Sequence, residues 1–207
     1  MRTILETKRA AIAIHTTLFL LLLTLYATAQ QGSKPPGSTE VHELFVADQA
    51  DRQNVGSNGT AAPDWVGINR RDSERRERTR QLITKGEVKS AQDYHDAAFI
   101  FQHGSKPQDY LLAHILATAA VAKGDANSLW IAAATLDRYL QSIDKSQVFG
   151  TQYFQPEDSK PWTQDPYDRE LVPDGLRSVF GVPIRSLQQK TLDEEYNKAR
   201  PAKSPNK

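Results

Sequence analysis

The stretch from Asp93 to Gln152 constrains the fold of this 207-residue chain more than any other segment. It is the densest apolar segment outside the N-terminus, and polar residues interrupt it only at spaced points. Residues 97–101 and 111–121 would be apolar around most of a helical axis, which implies burial on several sides. Short glycine-containing turns separate the apolar runs. The pattern predicts three consecutive helices that pack on one another as antiparallel neighbours.

Local signals predict where these helices begin and end. Ser90 and Asp93 have the spacing of a capping box at the start of the first helix. Ser105 is expected to cap the second helix, and Gly124 to end it. Asp125 is expected to open the third helix. Its buried stripe is predicted at steps of four and three residues: Leu129, Ala133, Leu136, Leu140 and Ile143.

Shorter segments flank this core. Residues 41–51 have the pattern of a short helix, and Asp72 or the following serine is positioned to cap a charged helix that Gly86 ends. Residues 153–175 carry four prolines and no helical period, so we expect an irregular but ordered wrap. A final helix is expected from 186 to about 198. The predicted fold is all-α, a small antiparallel helical array with a proline-rich C-terminal wrap. Packing of the tetratricopeptide type is one option.

The N-terminus has the layout of a secretory signal peptide. Three basic residues precede an apolar run, and Ala27-Thr28-Ala29 provides a small-residue cleavage site. We expect cleavage near Ala29 and a periplasmic or secreted product. The alternative is a retained membrane anchor, since the run is long enough to span a bilayer. The domain boundaries expected are a signal peptide at 1–29, a flexible tether at 30–40, one helical domain at 41–198 with its core at 72–152, and a disordered tail at 199–207.

Composition excludes several classes of function. Cysteine is absent, which excludes disulfides, thiolate metal sites and a cysteine nucleophile. Lys plus Arg number 26 against 25 Asp plus Glu, so the basic footprint of a nucleic-acid-binding protein is missing. The sequence has no phosphate-binding loop, dinucleotide fingerprint or serine nucleophile elbow. We therefore expect no cofactor, no metal and no nucleic acid. The expected partner is an envelope protein or a small ligand, with membrane contact only through an uncleaved N-terminus.

Short polar motifs follow one another along the chain. They are Asp48-Gln49 with Asp51-Arg52, Asp72 with Arg75-Arg76, Gln102-His103, Ala113-His114, Asp137-Arg138, Gln147 before Gly150-Thr151-Gln152, Val172-Pro173-Asp174 with Arg177, and Gly181-Val182-Pro183. In this order they resemble an uncharacterised bacterial family of helical domains of unknown function, over about residues 44–188. The resemblance implies a helical fold and a polar cluster, but no activity. The implied cluster comprises Gln102, His103, Asp137, Arg138 and Gln152.

Two functions are compatible with these residues. The first is a binding or interaction module with a polar pocket, and its ligand contacts would be Gln102, Arg138, Gln152, Arg76 and His114. The alternative is a hydrolase-like acid–base enzyme acting on a small polar or anionic substrate. There His103 would be the base and Asp137 would orient it. Each residue also has a structural interpretation: His103 as a capping histidine, His114 as a core histidine, and Asp137 in an ion pair between helices.

Overall fold

A computed structural model describes residues 39–53, 64–157 and 160–197. The predicted signal peptide, nearly all of the tether and the predicted tail lie outside these residues. The helices are α1 (Thr39–Gln53), α2 (Trp65–Thr84), α3 (Ala91–Phe101), α4 (Pro107–Ala122), α5 (Ser128–Ser142), α6 (Asp174–Val179) and α7 (Arg185–Thr191), which continues as a π-helical turn (Leu192–Asn197). The described chain contains no sheet, and the predicted all-α class is confirmed. Of its helices, none combines the length and apolarity needed to cross a membrane.

The capping box predicted before α3 is confirmed. The Ser90 hydroxyl accepts from the Asp93 N–H at 3.0 Å, and the Asp93 carboxylate accepts from the Ser90 N–H at 3.0 Å. The expected cap before α4 is wrong. Lys106 holds the cap position there without a side-chain hydrogen bond, and Pro107 begins the helix. A proline can occupy a first turn because its missing N–H has no helical partner there.

Helix α2 begins earlier than the sequence predicted. Asp64 caps it, since the carboxylate accepts from the Gly67 N–H at 2.9 Å and satisfies one of the free donors of the first turn. Asp72 and Ser73, either of which was expected to be the cap, instead lie within α2, and Asp72 is buried there. This shift matters because it turns Asp72 from a terminal residue into one that faces α1.

Helices α3, α4 and α5 pack in chain order, and α1 packs against α3 and α2. Alanines on the facing sides allow the helices to approach closely. The main core consists of Val41, Leu82, Val88, Ala97, Ala98, Phe101, Ala113, Leu116, Ala117, Ile131 and Ala132. Helix α4 lies between α3 and α5, which explains why its sequence is apolar on more than one side.

The stripe predicted for α5 is largely wrong, because Ala133 is its only fully buried member. Its buried residues are instead Ser128, Asp137 and an uninterrupted run of five, Ile131, Ala132, Ala133, Ala134 and Thr135. Two different partners cover this helix. Ile131 and Ala132 belong to the main core, whereas Ala133 packs with Phe149 and Val172 of the segment after α5. A helix covered on two sides does not need a single apolar stripe.

The segment after α5 forms the expected irregular wrap. Isolated β-bridges join Gln147 to Tyr167 and Phe154 to Thr163. Tyr196, on the π-helical turn, stacks on Tyr153 with ring centroids 5.0 Å apart. Ring contacts therefore connect the wrap to the C-terminal helical turn.

Candidate functional site

His103 follows the end of α3, and both nitrogens of its ring are occupied. Arg52 Nε donates to His103 Nε2 at 2.8 Å. Because a guanidinium N–H can only donate, Nε2 carries no proton and the ring proton lies on Nδ1. That proton is donated to Asp48 Oδ1 at 3.2 Å. Burial lowers the pKa of His103, although the hydrogen bond to Asp48 opposes the shift. The ring is therefore held neutral in one tautomer.

His103 lies at the edge of an acid–arginine network that joins α1 to α2. Asp72 accepts from Arg52 Nη2 at 2.7 Å and from Arg75 Nη2 at 2.6 Å. Asp51 accepts both hydrogen bonds of a bidentate pair with Arg71 at 2.9 Å. The network comprises the carboxylates of Asp48, Asp51 and Asp72 and the guanidinium groups of Arg52, Arg71 and Arg75.

The charges of this network balance, three negative against three positive. The hydrogen bond from Arg71 lowers the pKa of Asp51. Burial would raise the pKa of Asp72, but the bonds from Arg52 and Arg75 outweigh it and lower the pKa. Buried ions persist only when they are paired and hydrogen-bonded. The network therefore fixes α1 against α2 and has no spare charge to offer a ligand.

A cleft of about 700 Å³ is lined by residues of α2 and of the segment 105–109, which follows His103 closely in the chain. Arg76 Nη1 donates to the His103 carbonyl at 2.6 Å, and Arg80 Nη2 donates to Asp109 at 3.1 Å. Both arginines therefore stand between α2 and the start of α4. The cleft is lined by Ser73, Arg76, Glu77, Arg80, Ser105, Lys106, Gln108 and Asp109. Three cationic side chains face two carboxylates, which leaves one positive charge in excess.

The structure does not join Asp137 to His103. Asp137 is fully buried, and all its hydrogen bonds go to the loop after α5. Its Oδ1 accepts from the N–H groups of Val148 and Phe149 at 2.8 and 3.0 Å. Its Oδ2 accepts from the Thr151 N–H at 2.9 Å and from the Thr151 hydroxyl at 2.8 Å. The carboxylate is thus an anchor for this loop, and the carboxylate partner of His103 is Asp48.

Gln152 belongs to the same loop. Its N–H donates to Gln147 Oε1 at 3.0 Å, and its side-chain amide donates to the Thr151 hydroxyl at 2.9 Å. Gln147 itself is fully buried and donates to the carbonyl of Gln152 at 3.0 Å. The predicted five-residue cluster is therefore divided, with Asp137 and Gln152 in the loop anchor and His103 in the acid–arginine network.

Arg177 forms a second buried polar centre that site prediction from sequence did not include. Its side chain is fully buried. Nε donates to the Val172 carbonyl at 3.0 Å, Nη2 to the Val148 carbonyl at 3.1 Å, and Nη1 to the Phe149 carbonyl. The order of the Val172-Pro173-Asp174 motif and Arg177 was visible in the sequence. The role of Arg177 was not visible, because its partners are backbone carbonyls, which leave no signal in the pattern of side chains.

The other three residues that were predicted to contact a ligand lie in three different environments. His114 Nδ1 donates to the Ala132 carbonyl at 2.9 Å and links α4 to α5, as a core histidine would. Gln102 is buried at the end of α3. Arg138 lies near Tyr110 and Arg52, and its Nε is buried without a hydrogen-bond partner.

A further group was missed, in which His95 contacts Ser128 and Asp125. His95 Nδ1 lies 2.8 Å from the Ser128 hydroxyl and 3.1 Å from Asp125 Oδ2. The Ser128 hydroxyl donates directly to Asp125 at 2.6 Å. In a hydrolytic triad the serine gives its proton to the histidine, and the carboxylate binds the opposite ring nitrogen. Here the serine donates to Asp125, and both Ser128 and Asp125 lie near the same nitrogen of His95, so the group is not arranged as a triad. Ser128 is also fully buried, so the group ties α3 to the start of α5.

Within residues 39–53, 64–157 and 160–197, no group of three or more histidine, aspartate or glutamate side chains is arranged to hold a metal ion. Comparison of the chain with protein-family models, with curated proteins and with solved structures gave no match. The chemistry of the cleft and of the buried polar groups around Asp137 and Arg177 must therefore be inferred from their own geometry.

Proposed function

We propose that this protein is an exported binding module, and that the cleft between α2 and the start of α4 takes the anionic end of a small polar ligand. The observation that carries the proposal is the cleft itself, about 700 Å³ in volume and lined mainly by charged and hydrogen-bonding side chains. Export is supported by the layout of the N-terminal residues, which lie outside the described part of the chain.

The cations of the cleft differ in how freely they can meet a ligand. Arg76 is fixed by its bond to the His103 carbonyl, so its position is set before any ligand arrives. Arg80 is about half exposed and is paired with Asp109. Lys106 is exposed at the mouth. Fixed donors reduce the entropy lost on binding, and an exposed lysine attracts anions from solution.

The acid–base alternative has less support. A general base needs a free lone pair within hydrogen-bond reach of the proton that it removes. The only unprotonated nitrogen of His103 accepts from Arg52, and Asp137 accepts all its hydrogen bonds from the loop after α5. Neither group is left available in the role that the sequence suggested for it.

The binding proposal is tested with citrate and inorganic phosphate as probes in calorimetric titrations at constant ionic strength. We expect measurable binding of at least one probe. Lys106→Gln combined with Arg80→Gln should weaken it about tenfold or more, since a hydrogen bond to a charged group contributes about 1.5–3 kcal/mol. The matched control is Arg70→Gln, which changes an exposed arginine of the same helix that pairs with Glu74 outside the cleft.

Three results would count against this function. The first is that neither probe binds, and the second is equal weakening of binding in the control variant. The third is chemical conversion of a bound ligand, detected by mass spectrometry after incubation, that disappears in His103→Gln. This third result would favour the acid–base enzyme instead.

A further inference from the structure

Arg138 differs from the arginines of the acid–arginine network because no carboxylate in the described part of the chain pairs with it. Its Nε is buried and has no hydrogen-bond partner. Arg75 Nε also lacks a hydrogen bond, but it lies 3.8 Å from Asp48 Oδ1, and Arg75 Nη2 donates to two carboxylates. The charge of Arg75 is thus compensated and that of Arg138 is not. The Arg138 side chain as a whole is partly buried, and a cation that is partly removed from water without a counter-ion is unfavourable.

A second unpaired donor lies one turn further along α5. Gln141 Nε2 is buried and has no hydrogen-bond partner. Residues three apart on a helix are neighbours on its surface, so the Arg138 and Gln141 side chains leave α5 from the same side. Buried donors are rarely left unpaired in folded proteins, and two on one helix surface call for an explanation.

The described part of the chain supplies no acceptor for either donor atom. The acid–arginine network is balanced, so its carboxylates are already neutralised. Outside the described residues the sequence contains only two acidic residues, Glu6 and Asp158, and residues 54–63, which connect α1 to α2, contain none. Burial lowers the pKa of Arg138, Tyr110 opposes this shift, and the charge on Arg52 lowers the pKa again. The surroundings therefore disfavour the charge while no anion is bound.

We infer that Arg138 and Gln141 form a binding site for a single carboxylate group of a ligand. The planar guanidinium matches a carboxylate in a bidentate arrangement, and the Gln141 amide adds a third donor. The single unmatched positive charge suits a singly charged carboxylate better than a doubly charged phosphate. This site does not use the cationic residues of the α2–α4 cleft, so the inference stands independently of the proposed function.

The test is thermal unfolding of the full chain with acetate, propionate or benzoate, against phosphate and chloride at equal ionic strength. We expect a carboxylate to raise the melting temperature of the wild type by more than phosphate or chloride does. Arg138→Met should remove this response. It should also raise the melting temperature without ligand by about 2–4 °C, because it removes a partly buried charge that has no counter-ion. Arg138→Lys keeps the charge but not the planar donor pair. It should lose the stabilisation by carboxylates, and its melting temperature without ligand should not rise.

Two controls separate this site from the rest of the molecule. Arg70→Met removes an exposed arginine and should change neither quantity, and Lys106→Gln should leave the carboxylate response intact. The inference is overturned if Arg138→Met fails to fold or melts at a lower temperature than the wild type. It is also overturned if no carboxylate stabilises more than chloride, or if phosphate stabilises as much as the carboxylates do.

Discussion

Replacing Asp137 by asparagine should detach the loop that follows α5. The carboxylate accepts four hydrogen bonds of 2.8 to 3.0 Å, three from backbone N–H groups and one from the Thr151 hydroxyl. Asparagine has the same shape but keeps only one oxygen. Its NH₂ group would take the place of Oδ2 and face the Thr151 N–H, donor against donor.

The cost follows from the bonds that are lost. Asparagine can still accept from Val148 and Phe149, so the loss falls on the N–H and hydroxyl of Thr151. Each buried donor left unpaired costs about 1–3 kcal/mol. A hydroxyl can rotate and recover part of this loss, so we expect the free energy of unfolding to fall by about 2–4 kcal/mol. That is a large share of the roughly 5–15 kcal/mol that stabilises a typical domain.

Urea denaturation followed by circular dichroism measures this change. The matched control is Asp144→Asn, at an exposed position with φ of 57°, where asparagine adopts the left-handed conformation readily. The control should stay within about 0.5 kcal/mol of the wild type. The reasoning is refuted if the free energy of unfolding of Asp137→Asn stays within the same limit of the wild type, or if both variants lose the same amount of free energy.

Three further predictions concern other parts of the structure. Gly150→Ala should lower the free energy of unfolding in urea by about 2 kcal/mol or more, because φ is +69° and the new Cβ would lie 2.6 Å from the Tyr167 ring. Gly124→Ala should lower it less, because no atom lies within contact distance of its new Cβ. Arg177→Met should lower the free energy of unfolding by about 3 kcal/mol, because the Val148 and Val172 carbonyls lose their donor and the Phe149 carbonyl keeps only the Gln188 amide. The pKa of His103 is lower in the folded state than in the unfolded state, so the unfolded chain binds a proton at this ring more readily than the folded chain does. Stability should therefore fall as the pH drops from about 7 to 5, and His103→Gln should reduce that slope.

The fold class could be predicted because the relevant signals are local. The capping box at Ser90 and Asp93 involves residues three apart, and Gly124 follows the end of α4 as expected, although the cap expected at Ser105 was wrong. The buried side of α5 could not be predicted in the same way. Its burial depends on the packing of Phe149 and Val172 against Ala133, and such long-range contacts leave no period in the sequence.

The candidate site was predicted only in part, for a similar reason. The ordered motifs of the sequence included the Asp48–Arg52 and Asp72–Arg76 segments beside Gln102-His103, and the structure places contacts from both segments at His103. It could not indicate which carboxylate His103 would meet. Asp48 and Asp137 are equally plausible as isolated aspartates, and the choice depends on how α1 packs against α3. The unpaired state of Arg138 was likewise invisible, because it follows from which acids are already used elsewhere.

The most direct test of the account is a ¹⁵N NMR titration of the His103 ring in the intact protein. The central claim is that this histidine is a neutral structural member of the acid–arginine network, with its proton on Nδ1. We predict one protonated Nδ1 and one unprotonated Nε2 at pH 7, with a pKa below the ordinary value of about 6.5. A proton on Nε2 at pH 7, or a pKa above the ordinary value, would contradict the claim and return His103 to consideration as an acid–base group.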